Sequence, residues 1–254
     1  MNTVLLTSLD DVLGSEERIV NCWPAVSTML MQGFVVRFAN GYSGRANSAS
    51  PILAGADLDD ARIETIENLY RSARLPPAFR DTPLMTRKTR RRLDCRGYQI
   101  KDSSEGMLID LSARRFSAHP GVEFMPEPCE PWLSGISRFQ VQEKRSPAHL
   151  LAIVGAIRVP VYFARLLSGG LPVAFGMVAI DRGWAEIASI MVDPADRGRG
   201  HGRALTEALL AQAQSVGAQK AFLQVDITNE AAKALYRKLG FAGIYRYDTL
   251  RKSN

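Results

Sequence analysis

The chain has 254 residues, which is enough for one large domain or two modules of about 100–130 residues each. Its hydrophobic share of 46% and charged share of 23% are typical of a soluble globular protein. The net charge of +6 suits a polyanionic ligand, and a cofactor that carries several phosphates would account for it without nucleic acid.

The cysteines argue against a disulfide framework and a zinc site, because they are widely spaced and include no Cys-x-x-Cys pair, so we expect no metal. They are Cys22, Cys95 and Cys129. The amino terminus carries Asp10 and Asp11 and no basic segment, which argues against a signal peptide. Residues 149–167 are apolar but interrupted by charges and a proline, whereas a spanning helix needs about 20 uninterrupted apolar residues. The sequence therefore predicts a cytoplasmic protein that does not enter a membrane.

The first half alternates helical and extended patterns. Apolar side chains recur at helical spacing in residues 16–31 and 58–74, which predicts two helices; the alternative for the first is a break, or the start of another helix, at Trp23-Pro24. Two short strands are expected at residues 34–38 and 42–47, because Asn40-Gly41 between them is the dipeptide most favoured in hairpin turns. Further short elements are expected in this order: an extended piece at residues 79–84, a helix near residues 93–95, and strands at residues 98–101 and 107–111.

A dense group of positive charges lies among these elements, at Arg87, Lys88, Arg90, Arg91, Arg92 and Arg96. Such a group is consistent with contact to nucleic acid or to a phosphate of a cofactor, and equally with a solvated helix face. No aromatic residues are interleaved with these charges, which weakens the nucleic-acid interpretation. We therefore expect a solvated helix face and no nucleic-acid partner.

The middle of the chain marks a change of domain. Residues 118–132 contain four prolines and little periodicity, which predicts a boundary between two domains at residues 1–125 and 126–254. Residues 134–157 are largely helical by pattern, in two pieces that separate near Ser146-Pro147. Two strands joined by a glycine turn follow, at residues 159–167 and 172–180.

A strand, a basic glycine loop and a helix come next. Residues 186–192 are rich in β-branched and apolar types, and Asp193-Pro194 ends this strand, since proline has no donor for a ladder hydrogen bond. An apolar helical stripe follows the glycines, at Leu205, Ala208, Leu209, Ala213 and Val216. A glycine loop at a helix N-terminus offers free N–H groups and the positive end of the helix dipole, and three arginines add charge. We interpret the loop as a cradle for a pyrophosphate.

The spacing of the glycines and basic residues distinguishes this loop from other phosphate-binding motifs. The loop lacks the Lys-Ser/Thr of a Walker motif and the third glycine of the dinucleotide fingerprint. It fits Arg-x-x-Gly-x-Gly, with Arg197, Gly200 and Gly202 in register. This pattern resembles the acetyl-coenzyme A loop of the GNAT superfamily of N-acetyltransferases; the alternative is a glycine-rich surface turn with solvated arginines.

A second motif supports the resemblance. After a strand at residues 221–226, Asn229, Tyr236 and Gly240-Phe241 reproduce the superfamily's closing pattern, Asn-x(6)-Tyr-x-x-x-Gly-Phe. Gly240 and Phe241 are also the residue types of a Schellman helix ending. A final strand at residues 242–250 would complete the module. The resemblance covers roughly residues 160–250.

The resemblance implies an α/β (α+β) fold of the GNAT type, with a central mixed, mostly antiparallel sheet flanked by helices. The first half resembles the amino-terminal half of tandem bacterial GNAT proteins, which implies two tandem modules. No Arg-x-x-Gly-x-Gly occurs before residue 120, so the first module is expected to be degenerate and not to bind coenzyme A in the usual way. Its expected role is structural, or to line the substrate cleft of the second module.

The activity implied by the resemblance is transfer of an acetyl group from acetyl-CoA to a primary amine, by direct attack in a ternary complex. The strand before the loop would pair with the pantetheine arm, the loop would bind the pyrophosphate, and the closing motif would complete the site. The cofactor-binding residues implied in this way are Ile190, Met191, Val192, Arg197, Gly198, Arg199, Gly200, His201, Gly202, Arg203, Asn229 and Tyr236.

Two residues are candidates for proton transfer. Glu186 lies eleven residues before Arg197, the spacing of the base in the histone-acetylating branch; the alternatives are a water chain as base and a Glu186 solvated at a strand end. The ribosomal-protein-acetylating branch uses a glutamate where this chain has Gln224, which cannot accept a proton, and Asp226 is a weaker candidate. Tyr236 is implied as the acid for the leaving thiolate, or else as a packing residue.

Other interpretations stay open at this stage. His201 in the loop is expected to face solvent or a phosphate rather than to act as a base. A protein that senses acyl-CoA without turnover would keep the same loop. The acceptor, a small-molecule amine or a peptide N-terminus, and the oligomeric state are not specified by the sequence.

Overall fold

The computed structural model describes residues 8–139 and 146–252, and the chain divides into two units. Unit 1 comprises Met1–Met107, Gln224–Glu230 and Gly243–Asn254. Unit 2 comprises Leu108–Leu223 and Ala231–Ala242. The predicted division at residues 125 and 126 stays a prediction.

Unit 1 carries three helices and a sheet among its described residues. The helices are α1 Leu9–Cys22, α2 Asp60–Ser72 and α3 Arg87–Cys95. The strands are β1 Ser27–Met31, β2 Phe34–Phe38, β3 Ala49–Pro51, β4 Ala78–Asp81, most of β5 Tyr98–Asp110, and β11 Ala242–Lys252. Their order is β1-β2-β3-β4-β11-β5. β3 and β4 pair in parallel, whereas β1 with β2, β2 with β3, and β4 with β11 pair antiparallel.

The amphipathic pattern of α2 explains how unit 1 buries its core. Ile63, Ile66 and Tyr70 recur at helical spacing and are fully buried against apolar residues of the neighbouring strands. The hydroxyl of Tyr70 donates a hydrogen bond to the carbonyl oxygen of Arg37, at 3.1 Å, so its polar end is satisfied inside the core. The predicted helix at residues 58–74 is confirmed.

Three expectations for unit 1 are wrong. The helix expected at residues 16–31 ends at Cys22, because Pro24 cannot continue it, and residues 27–31 form β1 instead. The hairpin turn is Gln32-Gly33, with φ of +41° and +81°, and not Asn40-Gly41. Residues 42–47 form turns and not a strand.

One further expectation for unit 1 is wrong. Residues 98–101 and 107–111 were expected as two strands, but Tyr98–Asp110 is the single strand β5. The final strand, β11, pairs antiparallel with β4, from Asp248 opposite Asp81 to Arg251 opposite Ala78. The strand expected at residues 242–250 is thus confirmed, and it pairs with a strand of the first half of the chain.

The basic cluster of residues 87–96 is the helix α3. Arg90 forms ion pairs with Asp81 and Asp94, at 2.6 and 2.9 Å. Arg92 and Arg96 reach Asp57 and Asp60, at 3.3 and 3.0 Å. Half of the cluster is thus neutralised within unit 1, while the exposed members are Arg87, Lys88 and Arg91.

Unit 2 carries four helices and a sheet among its described residues. The helices are α4 Glu130–Phe139, α5 Pro147–Val154, α6 His201–Ser215 and most of α7 Glu230–Leu239. The strands are β6 Val122–Met125, β7 Val161–Ser168, β8 Leu171–Asp181, β9 Trp184–Val192 and the first half of β10 Lys220–Asp226. Their order is β10-β9-β8-β7-β6, with β10 and β9 parallel and the other pairs antiparallel.

These elements agree with the sequence patterns in most places. The β7–β8 turn is Gly169-Gly170, both at positive φ, as expected for a two-residue hairpin. The α6 stripe is buried as predicted except at Val216, which lies beyond the helix and is 41% exposed. The proline-rich stretch holds β6, which pairs with β7. The predicted mixed, mostly antiparallel sheet flanked by helices is confirmed. Along the described residues, no helix is long and apolar enough to cross a membrane.

Candidate active site

A bulge shapes β9 in the middle of unit 2. Met177 on β8 lies opposite Ala188, but Phe175 lies opposite Met191, so Gly176 faces two residues of β9. The first of these, Ser189, has φ of +56°, which is uncommon for a residue with a side chain. Bulges of this kind bend a strand and are frequent beside functional sites.

Gly176 makes room for this bulge. A Cβ built on Gly176 would lie 2.7 Å from Cδ1 of Ile190 and within 3.3 Å of Leu205 and Leu209 on α6. The carbonyl oxygen of Gly176 accepts a hydrogen bond from the indole Nε1 of Trp132, at 3.0 Å. The bulge is therefore fixed by packing from α6 on one side and by a buried hydrogen bond to α4 on the other.

One edge of β9 is left without a strand partner. The parallel register with β10 covers three residue pairs and ends where Glu186 lies opposite Phe222. β9 then continues for six residues to Val192, paired within the described part of unit 2 only on its β8 side. The predicted residues Ile190, Met191 and Val192 lie on this stretch and are half-buried. Their backbone can pair with an extended ligand as a strand would.

The turn after β9 is built around Asp193. Its carboxylate accepts hydrogen bonds from the backbone N–H of Ala195, at 3.0 Å, and from Arg138, at 3.3 Å. Its carbonyl oxygen accepts from the N–H of Asp196, at 2.9 Å. Pro194–Asp196 forms one 3-10 turn in consequence, and the chain then enters the glycine loop.

The loop needs glycine for its backbone conformation. Gly198 and Gly200 have φ of +79° and +86°, a region that strains other residues, although a Cβ at either position would meet open space. Gly200 is the N-cap of α6, and its carbonyl oxygen accepts the first helical hydrogen bond, from Ala204 at 3.0 Å. Gly202 lies in the first turn, where a Cβ would contact Val192 at 3.5 Å.

Among the described residues, no backbone carbonyl accepts a hydrogen bond from the N–H groups of residues 200–203. They include the first N–H groups of α6, a fifteen-residue helix whose N-cap supplies no side-chain oxygen. Free N–H groups at the positive end of a helix dipole form an anion-binding site.

The arginines of the loop add exposed positive charge. Arg199 pairs with Asp196 at 2.7 Å, and Arg203 pairs with Glu207 at 3.0 Å. Arg197 forms no ion pair with any residue that the structure describes, and its side chain is exposed. His201, the first residue of α6, is partly exposed. The loop thus presents a concentration of donors and positive charge, and among the described residues no cluster suited to a metal ion occurs anywhere.

Tyr236 lies buried near the end of α7. It is 7% exposed, its ring packs edge-on against Phe241 at 5.9 Å, and burial raises the pKa of its hydroxyl to about 12. The N–H of Phe241 donates to the carbonyl of Tyr236 and the N–H of Gly240 to that of Arg237, both at 3.0 Å. This is the Schellman ending expected from the sequence, with Gly240 at φ of +103°.

The candidates for a base occupy very different surroundings. Glu186 is fully buried, opposite Ala179 and Phe222, which contradicts the alternative of a glutamate solvated at a strand end. In unit 1, Gln224 accepts a hydrogen bond from the hydroxyl of Tyr247, at 3.0 Å.

Asp226 serves a turn: it accepts hydrogen bonds from the N–H and the hydroxyl of Thr228, at 2.8 and 2.6 Å. Asn229 follows in unit 1, where its N–H donates to the carbonyl of Asp226 at 3.0 Å, just before α7 begins. Tyr236, the next residue of the closing motif, belongs to unit 2. The strand and loop residues of the predicted site belong to unit 2 as well.

Three positions of this site were not singled out from the sequence: Gly176, Ser189 and Asp193 as a turn carboxylate. An isolated glycine in the apolar run 172–180 is a signal that was available, because a glycine inside a strand pattern indicates a bulge or a close approach. Nothing in the local sequence marks Ser189, since its positive φ arises from the register with β8.

Known proteins resemble this chain over nearly its whole length. It matches the family described as "Probable histone acetyltransferase Rv0428c C-terminal" over residues 11–250. An uncharacterized N-acetyltransferase of Bacillus subtilis, YobR, is 24% identical over 244 residues, which cover 93% of this chain and 96% of the relative.

Solved structures show the same fold. A GCN5-related N-acetyltransferase from Kribbella flavida has a TM-score of 0.71 at 15% identity, covering 97% of each chain. A tandem GNAT protein from the clavulanic acid biosynthesis pathway, without AcCoA, has a TM-score of 0.59 at 15% identity, covering 75% of this chain and 68% of that chain.

The protein is an acyltransferase of the GNAT superfamily, as the two sequence motifs predict. Within that superfamily, the chain belongs to the family described as "Probable histone acetyltransferase Rv0428c C-terminal".

Proposed function

We propose that the protein transfers the acetyl group of acetyl-CoA to a primary amine, which attacks the thioester directly while both substrates are bound. The observation that carries this proposal is the set of unsatisfied N–H groups at the start of α6, in residues 200–203, which follows a strand whose outer edge is open. A pyrophosphate and an extended pantetheine arm are the parts of acetyl-CoA that match these two features.

The residues present fit this donor. Gly198 and Gly200 have positive φ, which favours glycine, and neither has a side chain that would keep a phosphate at a distance. Arg197, Arg199 and Arg203 add positive charge at the same place. When bound, acetyl-CoA supplies an activated acetyl thioester.

The open edge of β9 would orient the donor. The bulge at Ser189 and Ile190 interrupts the register with β8, which resumes at Met191, and the half-buried side chains of this stretch shield it in part from water. Backbone hydrogen bonds along it would fix the thioester beside the amine, and holding two reactants in this way accounts for a large part of such rate enhancements.

In this proposal Glu186 accepts the proton of the amine and Tyr236 donates a proton to the leaving thiolate. The amine must lose a proton to attack, and Glu186 is the carboxylate of unit 2 that lies on the same strand as the donor contacts. The leaving thiolate needs a proton, and Tyr236 keeps its proton throughout the neutral range because burial raises its pKa to about 12. Asn229, just before α7, is proposed as a cofactor-binding residue because of its place in the closing motif. The acceptor is proposed as a small-molecule amine or a peptide N-terminus, encountered in the cytoplasm.

The first test is calorimetric titration with acetyl-CoA of the wild type and of Gly200→Asp. The new carboxylate at the centre of the loop repels phosphate, so we expect affinity to fall at least about tenfold. Gly217→Asp is the matched control, because Gly217 follows the opposite end of α6, has φ of +87° and also faces open space. Equal losses in both variants, or no loss in Gly200→Asp, would overturn the assignment of the loop.

The second test is thiol release from acetyl-CoA with a panel of amines and peptides. Acceptor-dependent release by the wild type, absent in Gly200→Asp and retained in Gly217→Asp, supports the transferase. A protein that binds acetyl-CoA and releases no thiol with any acceptor would instead be a sensor of acyl-CoA. The two measurements therefore separate failure of the site from failure of the reaction.

A further inference from the structure

The outer strand of unit 1, β1, is exposed along its length. It pairs with β2 on one side and has no described partner in unit 1 on the other. Four of its five residues are exposed, and the apolar ones include Met29 at 43% and Leu30 at 76%. Val26, directly before the strand, is 54% exposed. An edge strand with apolar side chains is a template for pairing with another strand.

The register shows which backbone groups face outward. The turn Gln32-Gly33 is a two-residue hairpin, so Met31 and Phe34 beside it exchange hydrogen bonds, and such pairs alternate along the strands. Pairing with β2 therefore uses Met31, Met29 and Ser27, and the N–H and C=O groups of Thr28 and Leu30 point to the open edge.

The next strand pair agrees with this assignment. Val35, which lies opposite Leu30, directs its backbone groups to β3, where it lies opposite Ser50. Phe34 directs its groups to β1, and the residue opposite it on β3 is Pro51, which has no N–H to donate. The alternation is thus consistent across three strands.

The composition of this edge identifies its partner. Residues 24–36 contain no charged side chain, in a chain of which 23% is charged. Natural edge strands usually carry a lysine, a bulge or an inward charge that prevents pairing, and none of these occurs in β1. When a strand pairs with its own copy across a two-fold axis, a charge at the axis faces the same charge, and β1 carries no charge there or beside it that would oppose self-pairing.

We propose that β1 is a homodimer interface, in which the β1 strands of two copies of this chain pair antiparallel across a two-fold axis at Met29. Thr28 of each copy exchanges both backbone hydrogen bonds with Leu30 of the other, giving four N–H···O bonds. The two Met29 residues form the central non-hydrogen-bonded pair, whose side chains lie close together on one face. This interface is independent of the proposed acetyl transfer.

The dimer is expected to be concentration-dependent. A five-residue edge and its flanking side chains bury less surface than the roughly 1,200–2,000 Å² of a stable interface, which indicates a weak complex. Sedimentation equilibrium of the full chain over a wide concentration range measures it. We expect a monomer–dimer equilibrium, and a monomer at every concentration would overturn the proposal.

Met29→Glu tests the location of the interface. It places two like charges at the two-fold axis, and we expect the dimer dissociation constant to rise at least about tenfold. Leu171→Glu is the matched control, because Leu171 is 70% exposed at the β7–β8 turn and is not part of β1. A dimer that Met29→Glu leaves intact, or that both variants weaken equally, would place the interface elsewhere.

Cysteine cross-linking tests the register. In a variant with Cys95 and Cys129 replaced by serine, Met29→Cys is expected to form an intermolecular disulfide on mild oxidation, since the two positions face each other across the axis. Thr28→Cys in the same background is expected to remain unlinked, because Thr28 lies opposite Leu30 of the second copy. Cross-linking at Thr28 and not at Met29 would overturn the proposed pairing.

Discussion

Gly176 on β8 and Ile190 on β9 approach so closely that a Cβ on the glycine would lie 2.7 Å from Cδ1 of Ile190. Leu209 and Leu205 close the same space from α6, at 3.2 and 3.3 Å. The absence of one methyl group thus permits the bulge of β9, the packing of α6 against the sheet and the position of the loop that joins them.

Gly176→Ala is therefore expected to weaken both stability and the site. The added methyl group overpacks a close-packed region, which costs about 1–3 kcal/mol of unfolding free energy, and relief by movement of Ile190 would shift the donor-binding edge. Urea denaturation and acetyl-CoA titration measure the two effects. Gly44→Ala is the control, because Gly44 faces open space and has no positive φ. Wild-type stability and affinity in Gly176→Ala would show that this contact has no such role.

A buried ion pair stabilises unit 1. Arg80 and Glu16, each 1% exposed, form two hydrogen bonds at 2.7 and 2.9 Å. Burial alone would lower the pKa of Arg80, but the Glu16 carboxylate outweighs this effect and holds it above its ordinary value. Tyr245 donates a third hydrogen bond to Glu16, and the guanidinium lies over the ring of Tyr247 at 4.1 Å.

Glu16→Gln is expected to cost about 3–5 kcal/mol of unfolding free energy, because it leaves the Arg80 charge buried and uncompensated. Chemical denaturation measures this loss. The double variant Glu16→Gln/Arg80→Met removes both charges and should recover part of it. A double variant less stable than Glu16→Gln would contradict this explanation.

Alkaline pH is expected to destabilise the fold through buried tyrosines. Burial raises the pKa of Tyr70, Tyr98 and Tyr236 above the ordinary value near 10, to about 12 for Tyr236. Below pH 10 these tyrosines are protonated in both the native and the unfolded chain, and the unfolding free energy keeps its full value. Above it the unfolded chain loses protons that the native chain retains, so the unfolding free energy falls, by up to about 1.4 kcal/mol per pH unit for each group.

Urea denaturation at a series of pH values from about 8 to 11 measures this decline, and ultraviolet absorbance of tyrosinate follows ionisation in the native state. Tyr70→Phe removes one such group and should reduce the slope above pH 10. Native tyrosines that all ionise near pH 10, with stability unchanged up to pH 11, would be incompatible with their burial.

Local signals account for most of what the sequence predicted. The glycine loop and the Schellman ending at Gly240 depend on residues next to each other, and backbone preferences reveal them directly. The prediction of a helix over residues 27–31 is wrong because Met29 and Leu30 fit both the helical and the strand periodicity over so short a segment. The Gln32-Gly33 turn allows this segment to pair with β2 as a strand.

Such local signals do not predict contacts between residues that are far apart in the sequence. Glu16 and Arg80 are 64 residues apart, and nothing local marks them as a pair. The pairing of β11 with β4 depends on topology, and the burial of Glu186 depends on strands to both sides of it. The candidate site was thus predictable as a loop and a list of residue types; the glycine at position 176 indicates a bulge, but the position of that bulge at Ser189 depends on the register with β8.

Glu186→Gln tests the proposed base while conserving size and burial. We expect turnover with the amine to fall about 10²–10⁴-fold, since the amide cannot accept the proton, with acetyl-CoA affinity unchanged. Steady-state kinetics with an acceptor from the amine panel measures this effect. Glu123→Gln is the control, because Glu123 is the exposed residue of β6. Normal turnover in Glu186→Gln would leave a water chain as the route for the proton.

Tyr236→Phe removes a single hydroxyl and retains the ring that packs against Phe241. Because the phenol of Tyr236 is protonated at neutral pH, its loss should slow the release of the thiolate and lower kcat about 100-fold. The dissociation constant of acetyl-CoA should stay near the wild-type value, since the loop and the edge of β9 are untouched. Tyr162→Phe, on β7, removes a hydroxyl elsewhere in unit 2 and should leave kcat unchanged. If kcat of Tyr236→Phe matches that of Tyr162→Phe, Tyr236 is a packing residue, and the thiolate leaves without protonation by this side chain.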